Sequence, residues 1–467
     1  MVEWGIMKQR TLIGDRAFYR RVFAVMTPIL VQNVITNFVN LLDNLMVGQV
    51  GTEPMSGVAI VNQLIFVFNL CLFGAMAGPG ILTAQFYGRG DHKGVRETFR
   101  AKWLVALALV LAFCGVYLSA GSRLISLFLH EGEETLDLAA TLRYGEEYLH
   151  VILLQTLPFA VVQVYAGTLR ETGETMLPMK AGILAVFVNL FFNYLLIFGK
   201  LGLPALGVVG AAIATLIARL VECGIVVLWT HRHRDRARFI EGAYRSFRIP
   251  GALAKQMLLL GLPLALNELL WSSGMTMLSQ CYSLRGLEVV SANNISGTIN
   301  QLFFCVSLAM GNTVSILVGQ VLGSGDLERA VDEDRKLLAL AVALGVTVGA
   351  VMAVVAPLVP QFYNTTDAVK ALATSLLIVN SLMMPLTAFS NSAYFTLRCG
   401  GKTIITFVFD SAFVWGVCVP VAFVLSRYTQ MPILPLFIVV QALELVKCVV
   451  GFYLVRSRKW VNNLVAP

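Results

Sequence analysis

Charge is scarce in this sequence, and its scarcity excludes most of what a chain of 467 residues could otherwise be. Only 13% of the residues are Asp, Glu, Lys or Arg, about half of the roughly one quarter that a soluble globular chain carries. With 57% of the residues hydrophobic and a mean hydropathy of +0.75, a water-facing surface cannot be built. Polar linkers are nearly missing too, so the two or three soluble domains that this length would otherwise suggest are not expected. Histidine is rare: His92, His130, His150, His231 and His233 form no pattern with carboxylates that a metal-dependent enzyme would need. The eight cysteines include no CxxC pair, and all but Cys399 sit in apolar runs, where they read as small buried hydrophobes. Gly401-Lys402-Thr403 lacks the earlier glycine of a phosphate-binding loop, whose place is taken by Thr396. Neither an enzyme, an ATP-driven motor, a metal site nor a cofactor is expected.

What the sequence has in abundance is apolar stretches of about 20 residues, the length that crosses a bilayer as a helix. Twelve such segments are centred near Asn33, Phe68, Leu109, Leu157, Asn189, Ile217, Leu270, Phe304, Val346, Leu382, Trp415 and Leu445. No small-residue cleavage site follows the first, so it reads as a retained helix. Assigning alternate loops to alternate sides puts 27 of the 35 Lys and Arg with the two tails, six on the opposite side, and Arg219 and Lys447 inside segments. By the positive-inside rule both termini are expected in the cytoplasm, with the acidic loop at Glu131, Glu133, Glu134 and Asp137 outside. The net charge of +8 therefore reads as topology, not nucleic-acid binding.

The chain also repeats itself. Gln85-Phe86-Tyr87-Gly88-Arg89-Gly90-Asp91 recurs as Gln320-Val321-Leu322-Gly323-Ser324-Gly325-Asp326, an offset of 235 that Pro28 and Pro263 share. Thr168-Leu169-Arg170 recurs as Thr396-Leu397-Arg398, at an offset of 228. The expected organisation is a six-helix bundle over residues 1–230, a basic solvated linker over 231–252, and a second six-helix bundle over 253–467. Internal repeats of this kind mark secondary transporters that work by alternating access.

Polar side chains inside hydrocarbon are costly and need a reason. The first segment carries Asn33, Asn37, Asn40 and Asn44 on one helical face beside Asp43, its only acid. The fifth adds Asn189 and Asn193, one helical turn apart, and the sixth adds Thr215. Together Asp43, Asn189, Asn193 and Thr215 offer hard oxygen atoms suited to a small cation or a titrating carboxylate; the amides alone would equally serve as hydrogen-bonded glue between helices. In the seventh segment Glu268 has no basic neighbour within a turn, and is expected to be protonated, solvated by a cavity or paired across helices. Asn380, Thr387, Asn391 and Tyr394 of the tenth and Asn293, Asn300 and Phe304 of the eighth form stripes that fit either a wall for amphiphilic organic molecules or ordinary packing. Arg219 with Glu222, and Glu444 with Lys447, are spaced to neutralise themselves, and Asp410 reads as a complement to a helix dipole.

In order along the chain, LLDNLMVGQVG (41–51), AQFYGRGD (84–91), TLRETGE (168–174), the run from Asn189 to Thr215, GLPLALNELL (261–270), GQVLGSGD (319–326) and TLRCGGKT (396–403) resemble the multidrug and toxic compound extrusion (MATE) family over nearly the whole length. The resemblance implies an all-α membrane protein of two six-helix bundles around a central cleft. It further implies export of cationic and amphiphilic compounds in exchange for Na+ or H+. Matched residue by residue, it places the family's first-helix acid on Asp43, its fifth-helix polar pair on Asn189 and Asn193, its sixth-helix hydroxyl on Thr215 and its seventh-helix acid on Glu268. The acid that some members carry on the tenth helix is absent here, where Asn380 and Asn391 stand. Asn33, Asn37, Asn40, Asn293, Asn300, Phe304, Asn380, Thr387, Asn391 and Tyr394 are the candidate lining of the cleft. A monomer in the cell membrane is expected. The alternative within the wider superfamily is a flippase for lipids or lipid-linked sugars, which would favour a cleft rich in arginine, whereas Arg219 is the single arginine well inside a segment.

Overall fold

The computed structural model describes residues 12–128 and 137–466. Glu131, Glu133, Glu134 and His130 lie outside the described residues, as do Lys8 and Arg10. The described residues hold no strand, and twelve of their helices are long and apolar enough to cross a membrane. They are α1 (Arg16–Gly48), α2 (Thr52–Arg89), α3 (His92–Ser126), α4 (Leu138–Glu171), α5 (Met176–Phe198), α6 (Gly207–Arg232), α7 (Gly251–Ser283), α8 (Leu287–Ser324), α9 (Leu327–Val355), α10 (Asp367–Cys399), α11 (Thr403–Tyr428) and α12 (Ile433–Arg456). Each contains one of the twelve predicted centres. Helix is what the composition dictates, because hydrocarbon offers no partner to a backbone amide or carbonyl and only helices satisfy both within one segment. The chain is a multi-pass membrane protein.

The described chain divides into two compact units. One contains α1 up to Leu30, Ala84–Gly90 of α2, and the chain from Leu266 onward; the other contains Val31–Thr83 and Asp91–Ala265. This division differs from the one drawn at the 231–252 linker. Three helices, α1, α2 and α7, give part of their length to each unit.

In the first unit α10 is the hub, packed against α8, α9 and α12. Pro385 within α10 has no amide hydrogen to give the carbonyl of Ser381, and α9 approaches closely there. A Cβ on Gly349 would stand 2.4 Å from the Ser381 oxygen, and one on Gly345 2.8 Å from the Pro385 Cα. The duplicated motif has a similar use. A Cβ on Gly88 would lie 1.8 Å from the Gln320 oxygen, and one on Gly323 1.9 Å from the Gln85 oxygen. The two copies of Q-x-x-G therefore cross each other backbone to backbone, each glycine receiving the glutamine carbonyl of the other copy. Gln85 also holds the C-terminal tail, its amide donating to the carbonyls of Cys399 (3.0 Å) and Asn462 (3.3 Å) and its oxygen accepting from Leu464 N (2.8 Å).

In the second unit α5 packs on α6, and α4 packs on α3 and α6. Lys102 is fully buried, ion-paired to Glu171 and 3.2 Å from the Thr168 hydroxyl. The repeat-related Thr396 of the first unit instead donates to the buried Asp334 at 2.6 Å. One threonine position thus serves a buried lysine in one repeat and a buried aspartate in the other. The linker is not simply solvated. Arg232, Arg234, Arg236 and Arg238 are exposed, but Ala237, Phe239, Ile240 and Ala243 are buried. Arg100 donates to the carbonyls of Gly242 and Ala243, both at 2.7 Å, and Phe99 packs edge-on to Tyr165 and tilted against Phe239. Four apolar residues among the arginines pin this segment to the ends of α3 and α4.

The crossing of α2 and α8 predicts that Gly88→Ala lowers the melting point of the purified protein, with an overpacking cost of about 1–3 kcal/mol. Gly115→Ala, which meets nothing within 4 Å on α3, should be neutral or stabilising. Equal melting points for the two variants would contradict the crossing.

Candidate cation site

Asp43 sits five residues before the end of α1, Asn193 five before the end of α5 and Thr215 eight after the start of α6. The group therefore lies nearer one end of these helices than their middles, by about 1.5 Å per residue. The i, i+4 spacing on α5 turns Asn189 and Asn193 to one face, and the packing of α5 on α6 brings that face to Thr215. Asn193 donates to Asp43 Oδ1 at 2.7 Å. The Asn189 amide stands 2.9 and 3.0 Å from the two Asp43 oxygens; with its nitrogen turned to them it donates to both, while its oxygen accepts from the Thr215 hydroxyl at 3.3 Å. Turned over, its nitrogen points to Thr215 and its oxygen accepts from Asn193 at 3.1 Å. The first arrangement satisfies Asp43 and Thr215 together, whereas the second sets oxygen against oxygen at Asp43. All four predicted residues are together.

Two further features suit a cation. Asn193 is 1% exposed, yet its Oδ1 has no hydrogen-bond partner among the described residues, and a buried acceptor left unmade is costly. Asp43 makes no ion pair among the described residues, while Arg219, one turn beyond Thr215, is taken by Glu222 at 2.7 Å and lies over the Phe159 ring at 5.1 Å. The expected self-neutralising pair on α6 is present. The donor set is thus a carboxylate, two amides and a hydroxyl, all hard oxygen chemistry.

The polar groups of α7 and α10–α12 form a separate network in the other unit. Glu268 has the Arg398 guanidinium, the Asp410 carboxylate and the Tyr394 hydroxyl as electrostatic neighbours. Next to it Asn267, 1% exposed, donates to Asp410 at 3.1 Å and Tyr394 at 3.2 Å, and its own oxygen accepts from the Ser411 hydroxyl at 2.7 Å. Two expectations are corrected here. Lys447 bridges to Asp410 at 2.7 Å instead of to Glu444, which accepts from Ser390. Asp410 does not complement a helix start; it lies inside a π-helical turn, Val408–Ala412, followed by a second over Val414–Cys418. Wide turns shift the facing register of α11, so an i, i+3 spacing on α12 could not reveal the partner. Asn267, whose side chain joins Asp410, Tyr394 and Ser411, carries no signal in the sequence beyond its place beside Glu268.

The candidate cleft residues divide. Asn380 donates to Ser296 at 3.2 Å and accepts from Gln441 at 2.9 Å, and Asn391 donates to the Ser307 carbonyl at 2.8 Å. With Tyr394 buried against Asn267, these three tie α10 to its neighbours, the packing alternative. Asn33, Asn37, Asn293, Asn300, Phe304 and Thr387 are half-buried. The side chain of Asn40 lies outside those described.

The geometry at Asp43 predicts that Asn193→Ala, which removes a buried unpartnered oxygen and the amide that orients the carboxylate, raises by roughly 10- to 100-fold the Na+ concentration needed for half-maximal dye export. Thr215→Val should shift it less. An unchanged requirement in Asn193→Ala would remove Asn193 from the site.

Comparison with known proteins agrees with the internal repeat. The MatE family model matches twice, over residues 28–195 and 263–424, and the two matches begin 235 residues apart, at Pro28 and Pro263. A probable multidrug resistance protein NorM of Thermotoga maritima is 28% identical over 446 residues, covering 94% of this chain and 92% of that protein. The multidrug resistance protein MdtK of Edwardsiella ictaluri is 25% identical over 368 residues, 78% of each. Among solved structures, an outward-facing multidrug resistance MATE family transporter of the MOP superfamily superposes with a TM-score of 0.85 at 21% identity, covering 96% of both chains. Two matches of one family model at the spacing of the internal repeat, on a twelve-helix chain of the same fold, establish that the protein belongs to the MatE family of membrane transporters.

Proposed function

We propose that the protein is a secondary active multidrug efflux antiporter that exports cationic or amphiphilic organic compounds in exchange for Na+ or H+. The observation that carries this reading is the Asp43 carboxylate, held by two amides and without a formal counter-charge, in a chain whose relatives include proteins named for multidrug resistance. The functional halves are residues 1–230 and 253–467, joined by the basic segment 231–252, in a monomer with both termini in the cytoplasm. The 27-to-6 distribution of Lys and Arg supports that orientation.

Binding of a cation or proton removes the charge that Asp43 presents to Asn189 and Asn193. An ion can shift an equilibrium only by its differential affinity for two states, and neutralising a carboxylate that ties α1 to α5 through Asn189 and Asn193 supplies such a difference. Coupling through a single acid implies one monovalent ion per cycle. Exchange against a monovalent organic cation then moves no net charge, so the ion's concentration gradient is the driving force. Export of a neutral compound would add the membrane potential, about 2.3 kcal/mol per 100 mV.

Asp43→Asn keeps the size and hydrogen-bonding capacity of the side chain but removes the titratable charge. Export of ethidium from intact cells should collapse while the amount of protein in the membrane is unchanged; pumping at the wild-type rate would exclude Asp43 as the coupling residue. For orientation, a cysteine replacing the exposed Arg236 should react with an impermeant maleimide only after lysis, and labelling in intact cells would reverse the topology.

A further inference from the structure

A groove of 770 Å3 opens between α9 and α12 at the end of the first unit where α9 begins and α10 and α12 finish. Its volume falls within the range of about 300–1,000 Å3 that ligand pockets occupy, but its composition is not that of a drug cleft. Three arginines, Arg335, Arg456 and Arg458, line it together with apolar side chains including Leu338, Phe389 and Phe452. Arg458 is turned by a left-handed backbone, φ 56°, and pairs with Glu328 at 2.8 Å. Trp460 fixes that turn, almost fully buried and donating to the Val455 carbonyl at 2.9 Å. Arg335 and Arg456 make no ion pair among the described residues, whereas the adjacent Lys336 is taken by Asp332 at 2.6 Å. The one acid in the groove, Asp334, is 1% exposed and accepts from Thr396.

The arginines and the apolar wall also differ in depth. Arg456 is the last residue of α12, while Phe389 lies ten residues before the end of α10, roughly 15 Å into the membrane at 1.5 Å per residue. Phe452 is 50% exposed, as a side chain in contact with lipid would be. Long basic side chains extend toward the interface and keep their stems on apolar surface. A cationic mouth at the interface that continues as an apolar groove into hydrocarbon is complementary to one class of molecule, a lipid with an anionic headgroup, and basic pockets between transmembrane helices bind such headgroups.

We propose that this groove binds an anionic phospholipid, its phosphate held by Arg335 and Arg456 and an acyl chain lying along Leu338, Phe389 and Phe452. The inference stands apart from the Asp43 reading, since none of these residues belongs to that site.

The test uses the purified full chain in a neutral detergent, titrated with phosphatidylglycerol, with phosphatidylcholine of the same acyl chains, and with inorganic phosphate, and read by native mass spectrometry and by melting temperature. Phosphatidylglycerol should bind and raise the melting temperature, the other two should not, and Arg335→Gln with Arg456→Gln should weaken its binding by roughly 30-fold, about fivefold per arginine. Leu338→Trp, which fills the groove and leaves the arginines intact, should weaken it as well and decides the matter if the double variant does not fold. Equal binding of both lipids, or phosphatidylglycerol binding that survives in both variants, would mean annular lipid and overturn the proposal. A melting shift given equally by phosphate would mean an anion patch, with the same consequence.

Discussion

Backbone meets backbone where α2 crosses α8, and no side chain fits at Gly88 or Gly323. Much else in that unit follows from this contact. It sets the duplicated Q-x-x-G motifs against each other, and it leaves Gln85 free to hold the C-terminal tail through three hydrogen bonds. The tail in turn places Trp460, which completes the core formed with Val22, Met310, Val314 and Leu337. Lipid gives no hydrophobic drive for helices to associate, so close approach over small residues and paired polar groups must supply it. Gly345 and Gly349 beneath Pro385 repeat the device between α9 and α10.

Against this background the charged groups fall into two kinds. Lys102 with Glu171, Arg219 with Glu222, and Lys447 with Asp410 are compensated pairs, and breaking such a pair leaves an uncompensated charge at a cost of several kcal/mol. They are structural by this measure. Asp43 differs: its partners are the neutral amides of Asn189 and Asn193, and the Asn193 oxygen beside it is unmade. This openness is what the proposed coupling role asks of the site, since a resident cation would close it.

Most of the fold was legible because hydropathy dictates it. All twelve predicted centres lie in helices, and the repeat offset of 235 recurs in the family match. Asp43, Asn189, Asn193 and Thr215 were legible as a group because a four-residue spacing on one helix fixes a shared face. What was hidden depended on neighbours that periodicity cannot name. A polar stripe on α10 reads alike whether it lines a cavity or bonds to α8 and α12, and for Asn380 and Asn391 it is the latter. Asp410 and Lys447 are distant in sequence and meet across α11, whose π-helical turns leave no compositional mark. The packed linker was hidden by its arginines, since Phe239 and Ile240 among so much charge resemble a solvated loop.

The central claim is that an ion gradient, read by the Asp43 site, drives export. Its most direct test is ethidium transport by the purified protein in proteoliposomes, with Na+ and pH gradients imposed separately and the membrane potential clamped. The account predicts accumulation of the dye against its gradient when one of these ions flows the other way, together with a matching flux of that ion when a dye gradient is imposed instead. Dye movement that only equilibrates, indifferent to both gradients and carrying no counter-flux of either ion, would contradict it.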